Sequence, residues 1–144
     1  MHNISLAKAN QIVQVALKTA RARSLAPMTV VVLDAGGHVV AAQREDGSGI
    51  LRYEIAFGKA WGSLGFGFGS RGLATRATKA PMFITAVASV ADGRVVPVPG
   101  GVLILGDDKH VLGAVGISGD VSDADEACAL EGIAAAGLAA DPGV

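Results

Sequence analysis

The chain has 144 residues, a length typical of one domain, and a domain of this size buries a core without help from disulfides or a structural metal. Twelve basic residues against thirteen acidic ones leave a net charge of −1, which gives no electrostatic attraction for a phosphate backbone or an anionic membrane. The single cysteine and the lack of a CxxC or His/Cys cluster exclude an internal disulfide and structural zinc. We therefore predict one domain over residues 1–144, with no metal site and with neither nucleic acid nor membrane as partner.

Composition also bears on location and assembly. Residues 1–5 lack the basic and apolar blocks of a secretory signal, and charged residues interrupt every apolar run before about 18 residues, so we predict a soluble, cytoplasmic protein. Charged residues make up only 17% of the chain, whereas the apolar set AVILMFWYC reaches 51%. Since a small domain is mostly surface, we expect a homo-oligomer whose interfaces cover part of this apolar excess.

The first half of the chain predicts a helix, a hairpin and a second helix. Ser5 is an N-cap for a helix that ends near Arg23, with apolar residues at helical spacing. β-Branched residues over 28–33 and the apolar run over 38–43 flank the turn DAGG, which predicts a β-hairpin. After a polar loop, residues 50–64 show helical spacing again.

The second half predicts a glycine-rich loop with some helical turns over 62–72, a short helix over 78–91, and strands over 94–98, 102–105 and 111–117. Ser122 caps a last helix that ends near Gly137. The order α-β-β-α-α-β-β-β-α and its short loops favour antiparallel pairing. We predict an α+β fold with one five-stranded antiparallel sheet packed with helices.

Two segments resemble a cofactor-binding motif and a catalytic motif, but neither has the sequence context that the motif requires. Residues 67–72 read GFGSRG and match GxGxxG, but a helical segment precedes them where a dinucleotide site needs a strand. We interpret these glycines, Gly67 included, as a loop that allows close approach of a backbone or of a flat ligand. Ser118 lies outside any GxSxG elbow, so we interpret it as a turn residue and not as a nucleophile.

The three histidines, His2, His38 and His110, lie at the terminus and beside two turns, where solvent exposure is the expectation. His38 and His110 remain hypotheses for ligand binding, as a haem ligand or a pH-sensitive group.

Arg52, Glu54 and Lys59 are the most suggestive charges, because they stand in an otherwise apolar segment. Cations beside an apolar wall suit a ligand that bears a carboxylate, such as an organic acid or a haem propionate. Arg52 or Lys59 is predicted to hold the anion, and Glu54 to orient that cation or to move a proton. If the protein is catalytic, Glu54, Lys59 or a histidine is the predicted acid–base group. Ion pairing within a helix or across an interface is the alternative.

The last helix carries two further residues of interest. Glu131 stands among small apolar residues and needs a partner, for which an arginine is the prediction. Cys128 has no cation or histidine beside it and is predicted to be a buried hydrophobe. The small-residue face around Ala127 and Ala134 is the expected subunit contact.

Several segments resemble the GlcG/HbpS-like family, which includes the C-terminal domain of PduO-type proteins, and together the resemblance covers about nine tenths of the chain. They are VVVLDAGGHVVA over 30–41, IAFGKA over 55–60, PVPGGVLI over 97–104, GAVGISG over 113–119 and DEACA over 125–129.

The resemblance implies the same α+β fold, assembly into dimers or larger oligomers, and haem binding in some members. It favours a small-ligand-binding protein, with haem or another flat, carboxylate-bearing molecule as ligand; Gly100 and Gly101 of the PGG turn are expected in the pocket. The alternative is a cofactor-free enzyme of the isomerase, lyase or hydrolase type, acting on a small organic acid, lactone or carbonyl compound in a catabolic pathway. An interaction scaffold without a pocket is a third hypothesis, disfavoured by the charges within the apolar segment.

Overall fold

The structure is a computed structural model that describes residues 2–144. Its described part contains five helices and five strands, which we number in chain order. They are α1 (Leu6–Ala22), β1 (Thr29–Asp34), β2 (Val39–Arg44), α2 (Arg52–Phe66), α3 (Ser70–Lys79), α4 (Pro81–Val90), β3 (Gly101–Leu105), β4 (Val111–Ser118), α5 (Ser122–Ala135) and β5 (Ala139–Asp141).

The strands form one sheet in the order β2-β1-β4-β3-β5, and every neighbouring pair is antiparallel. The predicted α+β fold with a five-stranded antiparallel sheet is therefore confirmed. Helices cover both faces: α1 and α5 pack on one face over a core that includes Val30, Val32 and Val115, and α2 packs on the other over Val31 and Leu33. This alternation of side chains along β1 follows from the two-residue period of a strand.

The identity of the fifth strand differs from the prediction. Residues 94–98 form no strand, because Val96 donates its backbone N–H to the carbonyl of Gly58 on α2 and not to a neighbouring strand. Glycine at position 58 makes room there for the Val96 side chain. The fifth strand is instead β5, which follows α5 after Gly137 and pairs with the outer edge of β3.

The glycine-rich stretch is more helical than predicted. Helix α2 continues through Gly62 to Phe66, and α3 begins at Ser70, so only three residues remain between them. Gly62 is buried, and any side chain there would press on Leu73 and Val95. Close packing of α2 against this cluster offsets the helical cost of glycine.

Glycines also let α2 lie directly on the sheet. A Cβ atom on Gly116 of β4 would clash with the Ala56 carbonyl, and one on Gly101 of β3 would clash with the Lys59 carbonyl. The PGG and GAVG segments thus position α2, and with it every charged residue that α2 carries.

Helix α5 packs on α1 within the same chain. Gly132 faces the backbone of Ile12, and Cys128 is fully buried, as predicted for a small hydrophobe. Glu131 lies 3.7 Å from the Arg23 guanidinium at the surface, which confirms the predicted arginine partner. Much of the small-residue face is therefore covered inside the chain, although Ala134 stays exposed.

Candidate functional site

Arg52 lies at the first turn of α2, where the helix meets the ends of β1 and β4. Its Nη1 donates a hydrogen bond of 3.1 Å to Oγ of Ser118, a side chain with no solvent exposure. Arg52 makes no salt bridge within residues 2–144, whereas Arg71 is held by both Asp123 and Glu126. The half-buried guanidinium of Arg52 thus retains donors for an anion.

A second arginine lies at the same end of the sheet. Thr29 is the register partner of Ser118 on one side and of Arg44 on the other, so the three residues lie side by side across three strands. Arg44 donates from Nη1 to the carbonyl of Ser48 at 3.1 Å, and the Ser48 hydroxyl bonds to that of Thr29 at 2.8 Å. Arg44, like Arg52, has no carboxylate partner among the described residues.

We call this set of Thr29, Arg44, Ser48, Arg52 and Ser118 the two-arginine cluster. It combines two guanidinium groups with three buried hydroxyl groups. The guanidinium groups have donors and no acceptors, which is the chemistry that binds carboxylates.

The surface beside the two-arginine cluster is apolar. A cleft of about 310 Å³ runs between β2 and α2, and its lining includes Thr29, Arg44 and the ring of Tyr53. Ile50 is 96% exposed and Leu51 63% exposed at the start of α2, and Val121 is 68% exposed in the loop after Ser118. A ligand with an apolar body and an anionic end matches this combination.

Lys59 lies two turns after Arg52 on α2, and its ammonium group is buried. Its Nζ donates to the Ile117 carbonyl at 2.8 Å and to Oδ2 of Asp125 at 3.1 Å, and the two side chains are only 2% and 1% exposed. Asp125 also accepts from the backbone N–H of Asp120 at 3.0 Å. This ion pair joins α2, on one face of the sheet, to α5 on the other.

Burial controls the protonation of this pair. Loss of solvation lowers the pKa of Lys59 from its ordinary value, against the attraction of Asp125. Loss of solvation likewise raises the pKa of Asp125, against the attraction of Lys59. Because the Lys59 ammonium group bonds to the Ile117 carbonyl and to Asp125 and both side chains are buried, the pair orders the site and has little access to a ligand.

The PGG turn lies next to the side chain of Lys59. Gly100 has a φ of 122°, and a Cβ atom there would lie 2.7 Å from Lys59 Nζ. Gly101 is held by Ser70, whose Oγ accepts from the Gly101 N–H at 2.7 Å. The group that approaches these glycines closely is therefore α2 itself.

The remaining residues predicted for the site lie elsewhere. Glu54 is exposed on α2, and Gly67 ends that helix with a φ of 85°, roughly 22 Å from Arg52 by the rise of a helix. His38 and His110 lie at the opposite end of β1 and β4, both exposed as predicted; His38 Nδ1 is 3.3 Å from Asp34, and His110 stacks edge-on against His2. The structure thus groups Arg52, Lys59, Gly100 and Gly101, and separates them from Gly67 and both histidines.

Sequence reasoning missed Asp125, Arg44 and the buried hydroxyls. Asp125 was noted only as part of the DEACA segment, and Ser118 was predicted only to form a turn. Nothing local marks either residue, because the contacts join positions 66 residues apart in both cases. The polar loop 44–48 was the available signal, since it contains both Arg44 and Ser48.

Within residues 2–144 no helix is both long and apolar enough to cross a bilayer, and no group of three or more His, Cys, Asp or Glu side chains is placed to hold a metal ion.

The fold and the family comparison define the class of the protein. An antiparallel sheet between two helical layers is the frame on which the two-arginine cluster is built. The family model described as "Haem degrading protein HbpS-like" matches residues 4–134. The chain belongs to the HbpS-like family.

Solved structures agree with this assignment. The PduOC:heme complex is 25% identical with a TM-score of 0.85, covering 95% of this chain and 97% of its own. HbpS is 25% identical with a TM-score of 0.79, covering 93% and 90%. The Klebsiella pneumoniae protein ORFY, at 23% identity, has the same fold, with a TM-score of 0.85 over 95% and 92% of the two chains. A search of curated proteins by sequence gives no significant match.

Proposed function

We propose that this protein binds a small, flat molecule with one or two carboxylates, and that the two-arginine cluster holds the carboxylate end. The observation that carries the proposal is the pair of guanidinium groups, Arg44 and Arg52, that lack carboxylate partners within residues 2–144 while an apolar rim borders them. Charge-assisted hydrogen bonds from arginine are the strong, oriented contacts that carboxylates use.

Haem is the first ligand to test, because a relative of 25% identity was solved as a complex with haem. Two guanidinium groups would match the charge of two propionates, and an apolar rim would match the edge of a macrocycle. Tyrosine is one of the side chains that hold haem iron in proteins, and Tyr53 lines the cleft beside Arg44. Haem would supply a redox-active iron; Arg44, Arg52 and Tyr53 would bind and orient it.

The histidine end of the sheet is a separate position. β1 has six residues and spans roughly 17 Å, and His38 and His110 lie beyond its far end from Arg52. His110 borders its own cleft of about 430 Å³ with Asp107 and Asp108. A ligand that used His110 would therefore occupy a different site from one that used Arg52.

The alternative function, a cofactor-free enzyme in a catabolic pathway, places acid–base chemistry on Glu54 and Lys59. Glu54 is exposed and Lys59 is enclosed by Ile117 and Asp125, so the two do not face one pocket. This geometry favours binding, with Lys59 as a positioning residue.

Hemin titration followed by Soret absorbance tests the proposal, and Arg52→Ala is its decisive variant. Loss of one charge-assisted hydrogen bond costs about 1.5–3 kcal/mol, so we expect Kd to rise about 10- to 100-fold. Arg76→Ala is the matched control, because Arg76 is exposed, stacks over Phe68 and also has no carboxylate partner in the part of the chain that the structure describes.

Equal affinity of the wild type and the Arg52→Ala variant would contradict the proposed site. A loss of affinity in His110→Ala alone would move the site to the histidine end. A third outcome is that hemin does not bind, whereas a smaller dicarboxylate binds and this binding depends on Arg52. The two-arginine cluster would then remain the binding site, and haem would be excluded as its ligand.

A further inference from the structure

Helix α4 exposes an apolar stripe that no other part of the described chain covers. Met82 is 87% exposed and Val90 86%, and Ala86 is exposed between them. Phe83 beside them is 50% exposed, and its ring packs edge-on against Phe66 of α2. Positions 82, 86 and 90 follow one another at four-residue spacing and share one face of the helix. No charged residue occurs between Lys79 and Asp92.

The contacts of α4 inside the chain are few for such a sequence. Ile84 is its only buried residue, and Val87 packs from the inner face on the cluster of Leu73, Ala91 and Val95. Thr85 and Ser89 are the polar residues of α4, and the rest of its surface is apolar. Apolar helix surface of this extent is normally covered by other protein. Its outer stripe therefore needs an occupant.

We propose that the occupant is α4 of a second copy of this chain, packed antiparallel about a two-fold axis that passes beside Ala86. Ala86 lies midway between Met82 and Val90, so this axis places Met82 of each copy against Val90 of the other. The small side chain at the centre allows the two helices to approach closely. A two-fold interface requires a surface that is complementary to itself, and this stripe meets that condition.

The charges at the two ends of α4 favour this orientation. Lys79 precedes the helix and Asp92 follows it, both side chains are exposed, and neither makes a salt bridge within residues 2–144. Antiparallel pairing brings Lys79 of each copy to Asp92 of the other, which gives two ion pairs. Parallel pairing would oppose like charges at both ends, which is unfavourable.

The self-complementary charges also favour a second copy over a different protein. One helix pair buries less than the roughly 800 Å² per partner of a standard interface, so we expect a monomer–dimer equilibrium that depends on concentration.

Sedimentation velocity across a concentration series measures this monomer–dimer equilibrium. Ala86→Arg should raise the dimer dissociation constant at least about tenfold, because it places two like charges at the axis.

Charge reversal tests the orientation. At low salt, Lys79→Asp alone and Asp92→Lys alone should each weaken association about two- to tenfold, and the double variant should restore it. Ile50→Arg is the control, because Ile50 is 96% exposed and lies at the other end of α2. Its association should equal that of the wild type.

Cysteine cross-linking gives an independent readout, since the native Cys128 is buried. Ala86→Cys should form a disulfide-linked dimer under mild oxidation, because residues on a two-fold axis approach within the reach of a disulfide. Val90→Cys should not, because it faces Met82 of the partner.

A chain that stays monomeric at all concentrations would overturn the proposal, as would oligomers that Ala86→Arg leaves intact or a double charge reversal that fails to restore association. The Ala86→Arg protein should bind hemin as the wild type does, because α4 lies beside the opposite end of α2 from Arg52. Failure of this interface is thus distinguishable from failure of the ligand site.

Discussion

Replacing Lys59 by methionine is expected to lower the free energy of unfolding by about 3–5 kcal/mol, because it leaves the carboxylate of Asp125 buried without its cation. The Ile117 carbonyl also loses its donor. Urea unfolding at constant m-value measures the change. Lys18→Met, an exposed lysine on α1, is the control and should stay within about 0.5 kcal/mol of the wild type.

The double variant Lys59→Met, Asp125→Asn separates the ion pair from simple loss of packing. Asparagine at 125 can still accept from the Asp120 N–H, and it removes the unpaired charge. We expect this variant to recover a large part of the stability lost in Lys59→Met. If the second substitution destabilises further, the cost of the first does not come from a stranded carboxylate.

Gly116→Ala is expected to destabilise the chain by about 3 kcal/mol or more, because its methyl group would occupy the space of the Ala56 carbonyl. The Ala56 carbonyl belongs to the helix backbone and cannot move as a flexible side chain would, so α2 as a whole would have to move off the sheet. Gly106→Ala is the matched control: a Cβ there meets Leu112 at an ordinary 3.6 Å. Thermal unfolding of both variants should show a large loss of Tm for position 116 and little change for position 106.

An outcome in which Gly116→Ala unfolds like Gly106→Ala would show that α2 adapts without cost. The placement of Arg52 by close helix–sheet contact would then be wrong as well.

The sequence predicted the fold because most of its signals are local. Ser5 caps α1 as predicted, its Oγ accepting from the Lys8 N–H, and the DAGG turn joins β1 to β2. The two departures, the irregular 94–98 segment and the late strand β5, depend on contacts with α2 and with β3. Strand propensity alone does not predict those contacts, because tertiary packing decides which apolar segment pairs with the sheet.

The candidate site was predictable only in part. The charges of α2 stand out in an apolar segment, which indicated Arg52 and Lys59 as site residues. The structure places Lys59 beside the PGG turn and Arg52 beside Ser118. The two residues nevertheless differ in environment: Arg52 remains half-exposed, whereas Lys59 is enclosed by Asp125 of a distant helix. Helical periodicity places Arg52 and Lys59 on one face of α2. It does not predict which other parts of the chain cover each of the two side chains.

A crystal structure of the protein with bound hemin tests the central claim most directly. We expect a carboxylate within hydrogen-bond distance of the Arg52 guanidinium, next to Ser118, with the macrocycle along the cleft that Tyr53 and Arg44 line. Haem density at His110, with Arg52 bonded only to Ser118, would contradict it.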